Sequence, residues 1–416
     1  MIISFHTSPK IANNKDVNII FSLSKNPGDV ALSIQTPLFI NANEWDPEKQ
    51  RPKNIYNKKN KHLNYSLNAI KIRSTEIINN NDGKIRGLNK TLAFEIDKIC
   101  GLKAVQYPSD SLLYFILLYT NQKEQLIQLS TYRRYMVFKN LFENFEGFIA
   151  KRITIKEVDG ELITRFYSFA KTEQYNDSTI LRSIHFLKTI LRFAEKNGLQ
   201  TQINRLDLAR IKISRKIITL SEEELLKIKS TIVPQELQPA KDWLLISCYT
   251  GQRFSDFIKF DKSHLIDING RTCISFIQQK TRKKVTLPLH QTVLNIIKRN
   301  NYSFPKPIDI TMYNNAIKKV ARLADINDIV EVRKRAGYRS TDEKTEKWKV
   351  VSSHIGRRSF SSNFYGRIPT SLLIQATGHS SEQMFLNYVN PVNNEIIAAL
   401  GNYFDKMYDE RVRRSI

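Results

Sequence analysis

The sequence predicts an α+β chain of several domains: a small β-rich unit, a helical unit, and a larger, mainly α unit carrying a small antiparallel sheet. Three observations predict it. At 416 residues the chain is too long for one ordinary core. Apolar residues alternate near the N-terminus but recur at helical spacing through the middle. Two further alternating segments, within Ile274 to Leu289, flank a basic turn inside helical surroundings. The divisions fall at 1–100, 101–205 and 206–416.

From Val17 to about Ile40 the pattern is that of strands: Val17-Asn18-Ile19-Ile20-Phe21-Ser22-Leu23, a turn at Asn26-Pro27-Gly28-Asp29, then Val30 to Ile34. Lys53 to Lys61 is a Lys/Asn-rich loop. Leu63 to Ile78 sets Leu67, Ile70 and Ile77 at helical spacing, and Asn79 to Gly83 breaks it. A second unit runs from roughly Asp110 to Gly198. One of its helices, Thr131 to Phe145, carries Arg133, Arg134 and Lys139. Its last helix has Asp177 or Ser178 as a cap and Gly198 as its stop. Ile180, Ile184, Leu187, Ile190, Leu191 and Ala194 share one side of that helix, and Arg182, His185, Lys188, Arg192 and Lys196 the other. Such a face is either simply solvated or applied to a polyanion. Only Glu195 dilutes it, which favours DNA contact through Arg182, Lys188 and Arg192. Leu199 to Lys216 is basic, poor in large apolar residues, and reads as a linker. The third unit opens at Ser221 with a capping box to Glu224.

The balance of Lys+Arg 65 against Asp+Glu 40 gives a net charge of +25, which calls for a polyanionic partner. No apolar run approaches the ~20 residues of a membrane-spanning helix. Met1-Ile2-Ile3-Ser4-Phe5-His6 lacks the features of a secretory signal. Cys100, Cys248 and Cys273 have no metal-like spacing, and the latter two sit in apolar stretches as reduced core residues. A cytoplasmic protein facing nucleic acid is expected, with no metal and no cofactor.

Four segments carry residue types suited to phosphodiester chemistry. Pro239 starts a helix that stops at Gly251, and Arg253 opens the next turn in Thr250-Gly251-Gln252-Arg253-Phe254-Ser255-Asp256. The basic turn holds Lys280, Lys283 and Lys284. Ser352-Ser353 should cap a helix on which His354 and Arg357, three apart, share a face. Thr377-Gly378-His379 closes a helix through Ser371 to Gln375, read as buried, and Phe385-Leu386-Asn387-Tyr388 follows. Each has a bland reading: a salt-bridged arginine, a core histidine, a packed tyrosine. Their conjunction in one basic chain is what points to chemistry, because planar guanidinium groups match phosphate oxygens two bonds at a time. For Lys283 and Lys284, neutralising the DNA backbone is the preferred reading.

The order, spacing and flanking letters of these segments resemble the tyrosine recombinase (phage integrase) family. The resemblance is sharp from about Ser221 to Tyr388. The strands after Val17, followed by Asn43-Glu44-Trp45-Asp46-Pro47-Glu48-Lys49-Gln50-Arg51, resemble the arm-binding domain of integrases from bacterial mobile elements, and 101–205 has the size and composition of the family's helical core-binding (SAM-like) domain. The polar stretch from Arg333 to Val350 resembles an insertion in mobile-element integrases and has no assigned role.

The resemblance implies a site-specific recombinase in which Tyr388 attacks the scissile phosphate and forms a 3′-phosphotyrosyl enzyme. Arg253 and Arg357 would hold the non-bridging oxygens, His354 would orient or act as base, His379 would add a hydrogen bond, and Lys280 would protonate the leaving 5′-oxygen. It further implies double-stranded DNA partners at core and arm sites, a monomer in solution that becomes a homo-tetramer on DNA, and room for a host DNA-bending protein and an excisionase. A chromosome-dimer resolvase, a topoisomerase of the same chemistry, or a catalytically dead DNA-binding regulator are the alternatives. The arm-like first domain argues against the first two, and six filled chemical positions argue against the last. Ile396, Ile397, Leu400, Phe404 and Met407 form an apolar stripe that covers either its own domain or a neighbour, and the family's habit of exchanging this segment favours the neighbour.

Overall fold

The structure, a computed structural model, describes residues 1–9, 15–26, 29–54, 57–81, 87–101, 107–206, 217–336, 339–389, 401 and 405. It divides into two compact units, Met1–Ile213 with Arg335–Thr341, and Ser214–Lys334 with Asp342–Ile416. The Asn26 to Asp29 turn, the end of the expected linker and the whole C-terminal apolar stripe fall partly or wholly outside the described residues.

In the first unit, β1 (Ile2–Thr7), β2 (Asp16–Ser24) and β3 (Val30–Asn41) form an antiparallel sheet in that order, and β4 (Trp45–Asp46) pairs with β5 (Arg51–Pro52). The alternation in β2 has its physical consequence: Val17, Ile19, Phe21 and Leu23 are buried, with Phe5 opposite Phe21. A register shift between Asn18 and Ile20 is bridged by side chains, since Asn18 donates to the Thr36 carbonyl and Thr36 to that of Ile19. Two helices, α1 (Lys58–Asn80) and α2 (Leu88–Gly101), share this core through Leu67, Ile70, Leu92 and Ile96. The helix in the Leu63 region therefore starts earlier than the sequence indicates, capped by Asn57, and takes in part of the expected Lys53 to Lys61 loop.

Four helices, α3 (Leu112–Lys123), α4 (Leu129–Ile149), α5 (Gly160–Thr172) and α6 (Asp177–Lys196), build a second core rich in phenylalanine. Phe142 stacks on Phe166 with centroids 4.6 Å apart. Buried Glu146 is answered by Arg152 at 2.7 Å and the Ile153 amide at 3.0 Å, as a buried carboxylate must be. The N-cap of α6 is Asn176, whose side chain accepts from Ser178, rather than Asp177 or Ser178. Its apolar stripe is buried throughout.

The second unit opens with α7 (Glu222–Ser230), whose Ser221–Glu224 capping box is present. It continues through α8 (Gln238–Thr250), α9 (Phe254–Phe257), the sheet β6 (Leu265–Ile268), β7 (Arg271–Ile277) and β8 (Lys284–Pro288), then α10 (Gln291–Arg299) and α11 (Ile310–Leu323). The Arg333 to Val350 stretch becomes the paired strands β9 (Ile329–Ala336) and β10 (Arg339–Glu346), then α12 (Lys347–Val350). The last described helices are α13 (Ile355–Phe364), α14 (Thr370–Thr377) and α15 (Glu382–Leu386). Helix α8 is the axis of this core: Trp243, Leu244, Ile246 and Cys248 are buried, and the Trp243 indole donates to the Lys306 carbonyl at 2.9 Å. Cys248 and Cys273 are free and buried, as expected. Among the described residues no helix is long and apolar enough to cross a membrane.

Candidate active site

Helix α13 lies hard against α8. A Cβ on Gly356 would stand 2.0 Å from Ser247 Oγ, so only glycine permits this approach. That closeness drives the next residue, Arg357, inward until 1% of it is exposed, with Nη1 donating to the Gly251 carbonyl at 3.0 Å. Nη2 reaches His379 Nε2 at 2.8 Å. A guanidinium only donates, so Nε2 accepts and the proton sits on Nδ1, which faces Thr377 Oγ1 at 2.7 Å. The threonine hydroxyl passes its own hydrogen to the Leu373 carbonyl at 2.6 Å. Burial first, then Arg357, Arg253 and Lys283, push the His379 pKa down to about 3. The imidazole is thus neutral with a fixed tautomer.

The Tyr388 ring completes the cluster, with its centroid 5.4 Å from the Arg357 guanidinium carbon and 4.9 Å from the His379 ring. Its backbone is set by Phe385, which is fully buried against Phe360, Leu373 and Val389. Burial and the nearby Arg253 lower the Arg357 pKa to about 10, while Tyr388 and Asp256 pull it up, and it stays charged near neutrality. Two buried atoms here have no partner, Arg357 Nε and Asp256 Oδ2. An unanswered guanidinium N–H beside a second arginine is the donor that an anionic oxygen would satisfy.

Arg253 is the N-cap residue of α9, with Nη1 donating to Gln278 Oε1 at 3.1 Å. His354 lies at the N-cap of α13, the place expected for Ser352-Ser353, and makes no side-chain cap bond. The Ser353 amide is taken instead by Asn314 Oδ1 at 2.8 Å. Although His354 is exposed as a residue, desolvation of its ring, then the fields of Arg358, Arg357, Arg253 and Lys280, lower its pKa. Lys280 is exposed in the turn after β7, and its field on His354 associates it with the same group.

Other expectations are displaced. The Lys283 ammonium donates to the His379 carbonyl at 3.3 Å while the residue stays exposed, so it braces the site as well as facing solvent. Lys284 is exposed, paired with Ile277 at the start of β8. Helix α14 is buried only at Leu373 and Thr377, not throughout, because one face suffices to hold the turn that follows. In the first unit Arg182 and Arg192 are exposed, whereas the Lys188 ammonium donates to the Leu206 carbonyl at 3.1 Å. Among the described residues no three His, Cys, Asp or Glu side chains cluster as metal ligands would.

Sequence reasoning missed Gln252, Gln278 and the role of Thr377. Both glutamines are wholly buried. Gln278 continues the inward register of Ile274 and Phe276 along β7, and a glutamine at a core-facing position was the available signal.

Two arginines, a neutral histidine and a tyrosine are thus gathered with a lysine-bearing hairpin, a set of donors suited to an anionic oxygen beside a phenol. The phage integrase family model matches residues 216–395, and the phage integrase SAM-like domain model matches 111–204. The chain belongs to the phage integrase family of tyrosine recombinases and is a tyrosine site-specific recombinase. Similar solved structures include a lambda integrase dimer bound to a COC′ core site, at 15% identity and TM-score 0.46, covering 66% of this chain and 97% of that one. The Tn1549 transposon integrase with a circular intermediate DNA is similar at 15% identity and TM-score 0.48, covering 70% and 99%. The XerH recombinase bound to difH substrate is similar at 13% identity and TM-score 0.45, covering 82% and 95%. No curated protein matches the sequence.

Proposed function

We propose that this chain is the integrase of a mobile element, cutting and rejoining double-stranded DNA through a 3′-phosphotyrosyl intermediate. The observation that carries the reading is the packing of Tyr388 against both Arg357 and His379. The phenolic oxygen of Tyr388 attacks phosphorus, and the bond to the 5′-oxygen breaks. Arg253 and Arg357 hold the non-bridging oxygens while charge builds on them. His354, kept neutral by desolvation of its ring and then by its cationic surroundings, is able to take the phenolic proton, and Lys280 gives one to the leaving oxygen. The displaced 5′-hydroxyl, or that of a partner strand, reverses the step, so the covalent bond conserves the energy of the phosphodiester.

The small sheet of residues 1 to about 100 supports a second DNA contact at arm sites, which favours an integrase over a resolvase. Core contacts fall to α6 and the β7–β8 turn. The assembly is a monomer in solution and a homo-tetramer on DNA, with the segment beyond Pro391 docking on a neighbour and a host DNA-bending protein and an excisionase as accessory partners. The test is incubation with a supercoiled plasmid carrying the gene and its flanking DNA. Nicking accompanied by an SDS-resistant protein–DNA adduct is expected, and binding without any adduct would identify a regulator instead.

A further inference from the structure

We infer that Gln278 is a positioning residue for the reaction: its side-chain amide fixes the Arg253 guanidinium and ties the Lys280 turn to the segment that carries His379. The inference rests on the reading of Arg253 given above. Gln278 is fully buried where β7 ends, and its amide is saturated. Oε1 accepts from Arg253 Nη1 at 3.1 Å and from Thr281 Oγ1 at 2.6 Å. Nε2 donates to the Thr377 carbonyl at 3.0 Å and to Gln252 Oε1 at 3.2 Å. Two donors and two acceptor positions are the whole capacity of a glutamine side chain.

Each bond reaches a different part of the site. Thr281 follows Lys280 directly, so its hydroxyl pins the hairpin turn. Thr377 precedes the glycine that leads to His379. Gln252 precedes Arg253, and its own Nε2 donates to the carbonyls of Thr250 and Ala376, both at 2.7 Å. Two adjoining buried amides therefore join the 250–253 segment, the hairpin and the 376–379 turn. The turn closes tightly on this pair. Gly378 has φ +68°, and a Cβ there would stand 2.6 Å from Gln278 Oε1.

The choice of an amide has a chemical reason. A neutral carbonyl orients a guanidinium without cancelling its charge, which stays available for phosphate. A carboxylate in the same place would form an ion pair that competes with the phosphate, and it would turn a second oxygen toward the Thr377 carbonyl with no hydrogen between them. A guanidinium left unheld must be ordered by the substrate itself, which slows the chemical step more than it weakens DNA binding.

The experiment measures DNA affinity by mobility shift, melting temperature, and single-turnover adduct formation on the plasmid described above. It uses the full-length chain and Gln278→Ala, Gln278→Met, Gln278→Glu, Arg253→Ala and the double variant Gln278→Ala with Arg253→Ala. Gln278→Glu should slow adduct formation by about 100-fold, the scale of losing one oriented charge donor, with DNA affinity within about twofold. Gln278→Ala and Gln278→Met should fall between it and the unsubstituted chain. The double variant should be no slower than Arg253→Ala alone, because a residue that acts through Arg253 has nothing left to position. Multiplying losses in the double variant would overturn the inference. So would parallel losses of affinity, melting temperature and rate, or failure of every Gln278 variant to fold, since those mark a purely structural glutamine. Normal cleavage by Gln278→Ala with a dead Arg253→Ala sinks this inference alone. Normal cleavage by Arg253→Ala sinks the assignment of Arg253 and this inference with it.

Discussion

Arg357 and His379 meet at 2.8 Å inside the second unit, with the guanidinium donating and the imidazole accepting. One contact thereby settles both the tautomer of the histidine and the direction of the arginine. The protonated imidazole is the wrong partner for this bond, so the pair couples the site to proton concentration.

The acid side of the stability profile should show that coupling. The His379 pKa is about 3 in the folded chain, against an ordinary value of about 6.5 when unfolded. The unfolded state binds the proton more readily, so the contribution is complete above the unfolded value and is lost as pH falls toward the folded one. Equilibrium unfolding should lose up to about 1.4 kcal/mol per pH unit from this group, and His379→Gln should flatten the slope between those two values. An unchanged slope would mean that the histidine is not held neutral.

Tyr388→Phe should bind plasmid DNA with unchanged affinity and give no SDS-resistant adduct. Phenylalanine keeps the packing of the ring on Arg357 and His379, so the fold is preserved. An adduct formed by the phenylalanine variant would place the nucleophile elsewhere.

Adduct formation should persist in excess EDTA, because in the proposed mechanism Arg253, Arg357 and Lys280 supply the positive charge that a divalent ion brings to other phosphoryl transfers. Cleavage abolished by the chelator and restored by Mg²⁺ would count against the mechanism.

The basic face of α6 should divide by residue. Arg192→Ala and Arg182→Ala are expected each to reduce the slope of log affinity against log salt by about 1. Lys188→Ala should leave that slope nearly unchanged and lower the melting temperature instead, since its ammonium holds the Leu206 carbonyl. Equal slopes for all three variants would refute the distinction.

Gly356→Ala should destabilise the second unit by about 1–3 kcal/mol, the ordinary range for overpacking, because its methyl would fall 2.0 Å from Ser247 Oγ. The check is chemical denaturation, and a neutral substitution would show that α8 and α13 have room to separate.

Much of this protein was legible in its sequence because the relevant signals are local. The alternation of β2, the stripe of α6 and the Ser221 capping box are each written within a few residues. Arg253, Arg357, His379 and Tyr388 were legible by their flanking letters. What escaped depends on distant partners. Gln278 counts through partners as far off as Thr377, 99 positions away, and the Ser353 amide beside His354 is taken by Asn314 on another helix. Lys283 looked like a free cation until the fold brought the His379 carbonyl to it.

The bond from Arg357 to the Gly251 carbonyl joins residues 106 positions apart in sequence. On the proposed mechanism, a chain still emerging from the ribosome with Arg253 and Lys280 already folded has no nucleophile, no neutral histidine and no second guanidinium. Contacts of such sequence separation form late. During synthesis, then, that mechanism leaves a partly made copy nothing with which to cut DNA, and the genome that encodes the enzyme is exposed only to finished molecules.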